Sequence, residues 1–310
     1  MDNSIKNGID NNTRNKKQPG FWTYFAISLT IVGGMLAANF KSHAADSFRV
    51  EVIGSGKPVI MIPGLMSDAR VWRPTAEALA GDYQLHLISI AGFAGTPAIS
   101  GELLPKVQRE LLQYIEQQHL DKPAVVGHSL GAFLAFSLAS SAPDVIGNVI
   151  AVDGLPFLAP VFSRDASTTV AQVTPQAEYF RTLYQGMTAE QLANMAAQGV
   201  QIQASSTEHQ QQVMAMATAS DPASVGQALY ELLTTDLRQQ VHTIQSKVLL
   251  IGAGGALQNA QQHTAAATLY QQQIATIANA TLEFNADSRH FIMLDQPAWL
   301  IARIAAALKD

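Results

Sequence analysis

Along most of the chain, short apolar runs with a period of two alternate with longer stretches of helical spacing, and this alternation sets the expected architecture. Residues 48–53 and 58–62 read as strands around the turn Gly54-Ser55-Gly56-Lys57, a pattern that predicts a hairpin opening a sheet. A helical segment near 75–80, a strand over 83–90, a helix over 102–118 and a short buried strand over 124–126 follow. Residues 148–152 and 247–251 continue the strands, 261–278 predicts a helix, 281–284 the last strand and 297–308 a closing helix. Strands separated by helices need crossover connections, so the pattern predicts an α/β fold with a mostly parallel central sheet and helices on both faces. Between 155 and 240 the strand signal disappears. Ala, Gln, Met and Thr dominate there, while Met214, Met216, Leu229, Leu232 and Leu233 mark packed helices. Residues 155–240 are therefore expected to be a helical cap insertion between core segments 45–154 and 241–310.

The N-terminus stands apart from this pattern. A polar run with Arg14, Lys16 and Lys17 leads into an apolar stretch over 21–38, the order of an export signal. Ser42-His43-Ala44 places small residues at the first and third positions of a cleavage tripeptide. Residues 1–44 are thus expected to be a signal peptide removed after Ala44, leaving a periplasmic or secreted body. The stretch also has the length of a bilayer span, about 17–25 residues, so an uncleaved anchor with the body outside the cytoplasm is the other reading.

Composition narrows the chemistry. With 310 residues, 48% hydrophobic and 14% charged, the chain can bury a sizeable core as one globular domain with an insertion. A net charge of -5 without any Lys/Arg block excludes a nucleic-acid footprint. The absence of cysteine excludes disulfides, a thiol nucleophile and thiolate metal sites. Neither a His-Glu-x-x-His motif nor a clustered acidic loop points to a metal, and no cofactor is expected. Gly252-Ala253-Gly254-Gly255-Ala256-Leu257 follows a strand like a dinucleotide fingerprint, but Leu257 replaces the third glycine needed for close helix packing. The sequence carries no signal for an oligomeric state.

Gly127-His128-Ser129-Leu130-Gly131 lies between a buried strand and a helical run, the setting of a nucleophile elbow. Glycines flank the serine because side chains there would meet the strand or the helix. Serine needs a base to become a nucleophile, and that base is expected after the last strand. His290 follows it through the polar loop Asn285-Ala286-Asp287-Ser288-Arg289. Histidines at 43, 86, 119, 209, 242 and 263 sit in the signal, a strand or helices, and His128 is too close in sequence to Ser129. The acid that orients the imidazole is expected at Asp153, which ends the strand 149–152 at the same sheet edge. Asp287 and Asp236 are alternatives. Oxyanion donors are expected from the N–H of Leu130 at the helix start and from the N–H of Leu65 in Pro63-Gly64-Leu65-Met66, with Met66 as runner-up.

Pro63-Gly64-Leu65, Gly92-Phe93-Ala94-Gly95-Thr96, the Ser129 pentapeptide and Asp287-Ser288-Arg289-His290-Phe291 fall in one order that resembles the α/β-hydrolase superfamily over nearly all of 48–308. It is similar to a capped branch of esterases, proline iminopeptidases, cofactor-free haloperoxidases and acyl-transfer relatives, as a divergent bacterial member. The resemblance implies two-step acyl transfer through Ser129, His290 and Asp153 on a small-molecule, ester-like substrate. Two departures stand out: no carboxylate follows the strand 248–251, and the turn around Gly92 lacks its usual charged residue and histidine. Leu155, Phe157, Leu158 and Phe162 predict an apolar pocket, which favours carboxylic esters. A peptidase or amidase would need an acidic site for a free amine, and Glu178, Glu208 and Glu231 are scattered. A non-catalytic binding protein on the same fold is the third reading.

Overall fold

The computed structural model describes residues 43–44 and 46–309. The expected signal segment lies outside the described residues except for His43–Ala44, a short strand (β1) whose end coincides with the expected cleavage point. No helix among the described residues is long and apolar enough to cross a membrane. The other strands are β2 (Phe48–Gly54), β3 (Lys57–Ile62), β4 (Tyr83–Ile90), β5 (Ala124–His128), β6 (Val149–Val152), β7 (Val248–Ala253) and β8 (Ala280–Asn285). They form one sheet of eight strands in the order β1-β2-β4-β3-β5-β6-β7-β8. The pairs β1–β2 and β2–β4 are antiparallel, and every pair from β4 to β8 is parallel.

The expected opening hairpin is not formed. β4 lies between β2 and β3, pairing Phe48 with Ile90 on one side and Val59 with Leu85 on the other. Burial explains the order. Leu85, Leu87, Ile88 and Ile90 are fully buried, whereas β2 alternates between buried and partly exposed residues and suits a place nearer the edge.

Strand periodicity sorts the core into two layers. Ile60, Ile62, Ile88, Ile90, Val125, Val149 and Leu250 face one side, and Val59, Met61, Leu85, Leu87, Val126, Ile150 and Ile251 the other. Helices α2 (Leu104–Gln117) and α3 (Leu130–Ser141) cover the first side, where Ile274 of α9 (Ala260–Ile274) also packs. Helices α1 (Arg73–Leu79) and α11 (Pro297–Lys309) cover the second, with the short α10 (Ile292–Asp295). Each fully buried Ile or Leu contributes roughly 1.5–3 kcal/mol from apolar transfer, so this two-sided burial is the main stabilising term.

Five helices lie between β6 and β7: α4 (Ala159–Ser163), α5 (Val170–Gln185), α6 (Ala189–Gln203), α7 (Thr207–Thr218) and α8 (Pro222–Thr234). Helix α5 packs along α8, and α6 along α7. Capping boxes at Thr169 and Thr188 start α5 and α6. The buried Glu231 of α8 ties this insertion to the core. Helix α2 begins without a capping side chain of its own, and Glu231 accepts the N–H groups of Leu103 (2.9 Å) and Leu104 (2.7 Å) there.

Candidate active site

Ser129 sits at the junction of β5 and α3 with φ 53° and ψ -114°, a strained conformation for a residue with a Cβ. Close packing imposes the flanking glycines. A Cβ on Gly127 would stand 2.1 Å from the Gly131 carbonyl oxygen, and one on Gly131 would stand 2.2 Å from that of Ile62. The turn projects Ser129 into a cavity of about 460 Å3 beyond the carboxyl ends of the strands.

His290 and Asp153 line the same cavity. The chain reverses at Asp153, which has φ 47° immediately after β6. His290 Nδ1 donates to Asp153 Oδ2 at 2.6 Å, which leaves the lone pair of the neutral ring on Nε2. The other carboxylate oxygen, Oδ1, accepts the N–H of Ala253 (2.9 Å) and the hydroxyl of Tyr270 (2.8 Å). Burial, followed by the charge of Asp153 and this hydrogen bond, pushes the Tyr270 hydroxyl well above its ordinary pKa. The two alternative acids are placed elsewhere: Asp236 pairs with Arg238 at 2.7 Å, and Asp287 is exposed.

The loop bearing His290 is held from two directions. Asn285 Oδ1 accepts the N–H groups of Asp287 and Ser288, and the N–H of Gly255 donates to the Ser288 carbonyl. The glycine-rich segment after β7 is thus a seat for this loop. From the insertion, the carbonyl of Gln203 accepts the N–H of Phe291 (2.8 Å), and the carbonyls of Gln201 and Ala204 accept from the Arg289 guanidinium. Asp295 joins both sides by accepting the N–H of Arg289, the N–H and hydroxyl of Ser205, and His209 Nδ1. Burial opposes its charge, but the donors from Ser205, Arg289 and His209 prevail and hold its pKa below the ordinary value.

His128 has a supporting place that its sequence position does not disclose. Its Nε2 donates to the His290 carbonyl at 3.0 Å, and its ring centroid lies 4.5 Å from that of His290. Complete burial, then the neighbouring His290, lowers its pKa far below the usual histidine value, so it stays neutral. The early loop passes directly over His128 and Ser129. A methyl on Gly64 would lie 2.8 Å from His128 Nδ1 and 3.1 Å from Ser129 Cβ.

Leu65 and Met66 of that loop line the cavity, and among the described residues neither N–H has an intramolecular acceptor. The N–H of Leu130 opens α3, where no intrahelical acceptor exists. The rest of the lining is largely apolar and comes from the insertion, including Leu158, Tyr184, Leu192, Met195, Val213 and Leu229. Phe162 and Ile202, 67% and 59% exposed, also line it. Among the described residues no group of three or more His, Asp or Glu could hold a metal ion.

Sequence reasoning thus names Ser129, Asp153, His290 and Leu65, which the structure brings to one cavity, and Leu130 beside it. It misses Tyr270, Asp295 and the part played by His128. Tyr270 and Asp295 have no local motif, and the pentapeptide that contains His128 does not disclose its partner.

Comparison with known proteins places the fold in a family. The chain is 24% identical over 242 residues to a pimeloyl-[acyl-carrier protein] methyl ester esterase of Nitrosomonas europaea, covering 72% of this chain and 89% of that one. It is 26% identical over 197 residues to the protein of the same name from Aliivibrio salmonicida, covering 63% and 72%. Among solved structures, a thermophilic esterase from Thermogutta terrifontis superposes with a TM-score of 0.70 at 17% identity, covering 84% of this chain and 93% of that one. A hydrolase from Pseudomonas aeruginosa gives 0.72 at 17% identity, with 88% and 100% covered. At such identities these structures speak to the fold alone. The family model described as alpha/beta hydrolase fold matches residues 57–297, and the chain belongs to that family.

Proposed function

We propose that the protein is an exported serine hydrolase that cleaves small to medium, largely apolar carboxylic esters. The observation that carries this reading is the 2.6 Å contact from His290 Nδ1 to Asp153, in the same cavity as a serine held at φ 53°. In this reading Ser129 Oγ attacks the ester carbonyl carbon and its proton passes to His290 Nε2. Asp153 keeps the ring in the required tautomer and stabilises the imidazolium. The N–H groups of Leu65 and Leu130 receive the negative oxygen of the tetrahedral intermediate. His290 then gives its proton to the departing alcohol, leaving an acyl group on Ser129. A water deprotonated by His290 attacks that acyl group, and the carboxylic acid leaves as the serine regains its proton.

Ester rather than amide cleavage is supported by the apolar lining and by the names of the two relatives given above, each a methyl ester esterase. Helices α4–α8 act in this reading as a cap that sets acyl length. Export rests on the sequence of residues 1–44. A fluorophosphonate probe tests the chemistry: the wild type is labelled and Ser129→Ala is not. An unlabelled wild type that turns over no p-nitrophenyl ester overturns the reading.

A further inference from the structure

Asp153 belongs to the loop after β6, and Ala253, the last residue of β7, meets it with its backbone N–H, while the segment that follows β7 has no carboxylate of its own. Helix α9 adds the Tyr270 hydroxyl to the same oxygen, from 117 residues away. The ring of Tyr270 is packed against Phe284 of β8, with centroids 5.2 Å apart. Among the described residues, one carboxylate oxygen is therefore taken by two donors and the other by His290 alone.

We propose that Tyr270 is a positioning residue for the hydrolysis: with the Ala253 N–H it occupies Oδ1 of Asp153, fixing the carboxylate so that Oδ2 faces His290. The inference rests on the serine-hydrolase reading above. Its physical basis is twofold. Rotation about the Cβ–Cγ bond of aspartate is soft, so a carboxylate with one oxygen unheld samples a wide range of angles. Each donor on a carboxylate also lowers its basicity, and a less basic partner stabilises an imidazolium less. Loss of the hydroxyl thus lowers kcat through misorientation and raises the pH at which His290 takes up its proton. Among the described residues, Tyr270 and His290 are the titratable side chains hydrogen-bonded to Asp153, and the ring of His128 faces the imidazole. His128 stays neutral through burial.

The test is the pH dependence of kcat and KM on a p-nitrophenyl ester, from about pH 5 to 9, for wild type, Tyr270→Phe and Phe284→Leu. Phe284→Leu loosens the ring packing and keeps the hydroxyl. Tyr270→Phe is expected to lower kcat about tenfold, change KM by less than about twofold, and move the acid limb upward by about half a pH unit. Phe284→Leu leaves that limb in place. Difluorotyrosine at position 270, a stronger donor of nearly the same shape, moves the limb to lower pH and serves also if the phenylalanine variant does not fold. An unmoved limb with unchanged kcat in Tyr270→Phe, an equal shift in Phe284→Leu, or an unmoved limb with difluorotyrosine overturns the positioning role. In each of these cases a labelled wild type leaves the hydrolase reading standing. A wild type that neither labels nor hydrolyses esters overturns both.

Discussion

The two ends of the Asp153–His290 contact are supported by different parts of the molecule. Asp153 and Ser129 stand at the ends of β6 and β5, and the donors that hold Asp153 come from β7 and α9. His290 stands on a loop whose backbone is laced to residues 201–205 of the insertion through Arg289, Phe291 and Asp295. The acid side is thus as rigid as the sheet. The His290 side depends in addition on its attachment to the helices that line the cavity, which in the proposed reading couples substrate coverage to base placement.

Four experiments break or sharpen this contrast. The largest effect is expected from Ser129→Ala, which should lower kcat on a p-nitrophenyl ester by roughly 10^4-fold or more while leaving the melting curve nearly unchanged. Asp153→Asn should cost about 10^3–10^4-fold in kcat, because an amide can stabilise the wrong imidazole tautomer, without altering hydrogen exchange in residues 201–205. If exchange there rises, the two sides are less separate than the geometry implies.

The third experiment concerns the sheet itself. His86 in β4 is buried against Tyr114 (2.7 Å), and burial lowers its pKa from 6.5 to about 4. The folded form therefore binds fewer protons than the unfolded chain between these values. Stability from this group is present above pH 6.5 and is lost as the pH falls toward 4, by up to about 3 kcal/mol. Urea midpoints across this window should fall in the wild type and fall less in His86→Gln.

Asp295→Asn is expected to have the smallest effect, about tenfold in kcat, accompanied by faster hydrogen exchange at residues 201–205 and 289–291. Because the folded pKa of Asp295 lies below 3.8, its contribution is present above that value and is lost only as the pH falls through the folded value. Acidification should thus weaken the sheet, through His86, before it loosens the lacing. Exchange measured at pH 5 in both regions checks that order.

The features legible in the sequence are those whose physics is local. Ser129 is betrayed by glycines two positions away on either side, since the collisions that exclude other residues involve the adjoining strand and helix. Asp153 was reachable because the order of elements brings strand ends to one edge and no rival acid follows β7. The order of β2, β3 and β4 was not legible, because two adjacent strands around a glycine turn look the same whether or not a third lies between them. Tyr270, His128 and Asp295 were hidden for a stronger reason. Their partners lie 117, 162 and 90 residues away, and hydrogen bonds of that separation leave no spacing to read. Glu231 at the start of α2 is another such case, at 127 residues.

The lacing at residues 201–205 bears on how this chain can be recombined with others. An insertion from another family member, grafted with its ends joined after β6 and before β7, would bring its own cavity lining but remove the acceptors for Arg289 and Phe291 and two of the residues that donate to Asp295, Ser205 and His209. A working chimera would have to transplant the corner between α6 and α7 together with residues 289–295, as one module in two pieces. In the proposed reading, substrate preference is consequently not a property of a detachable lid.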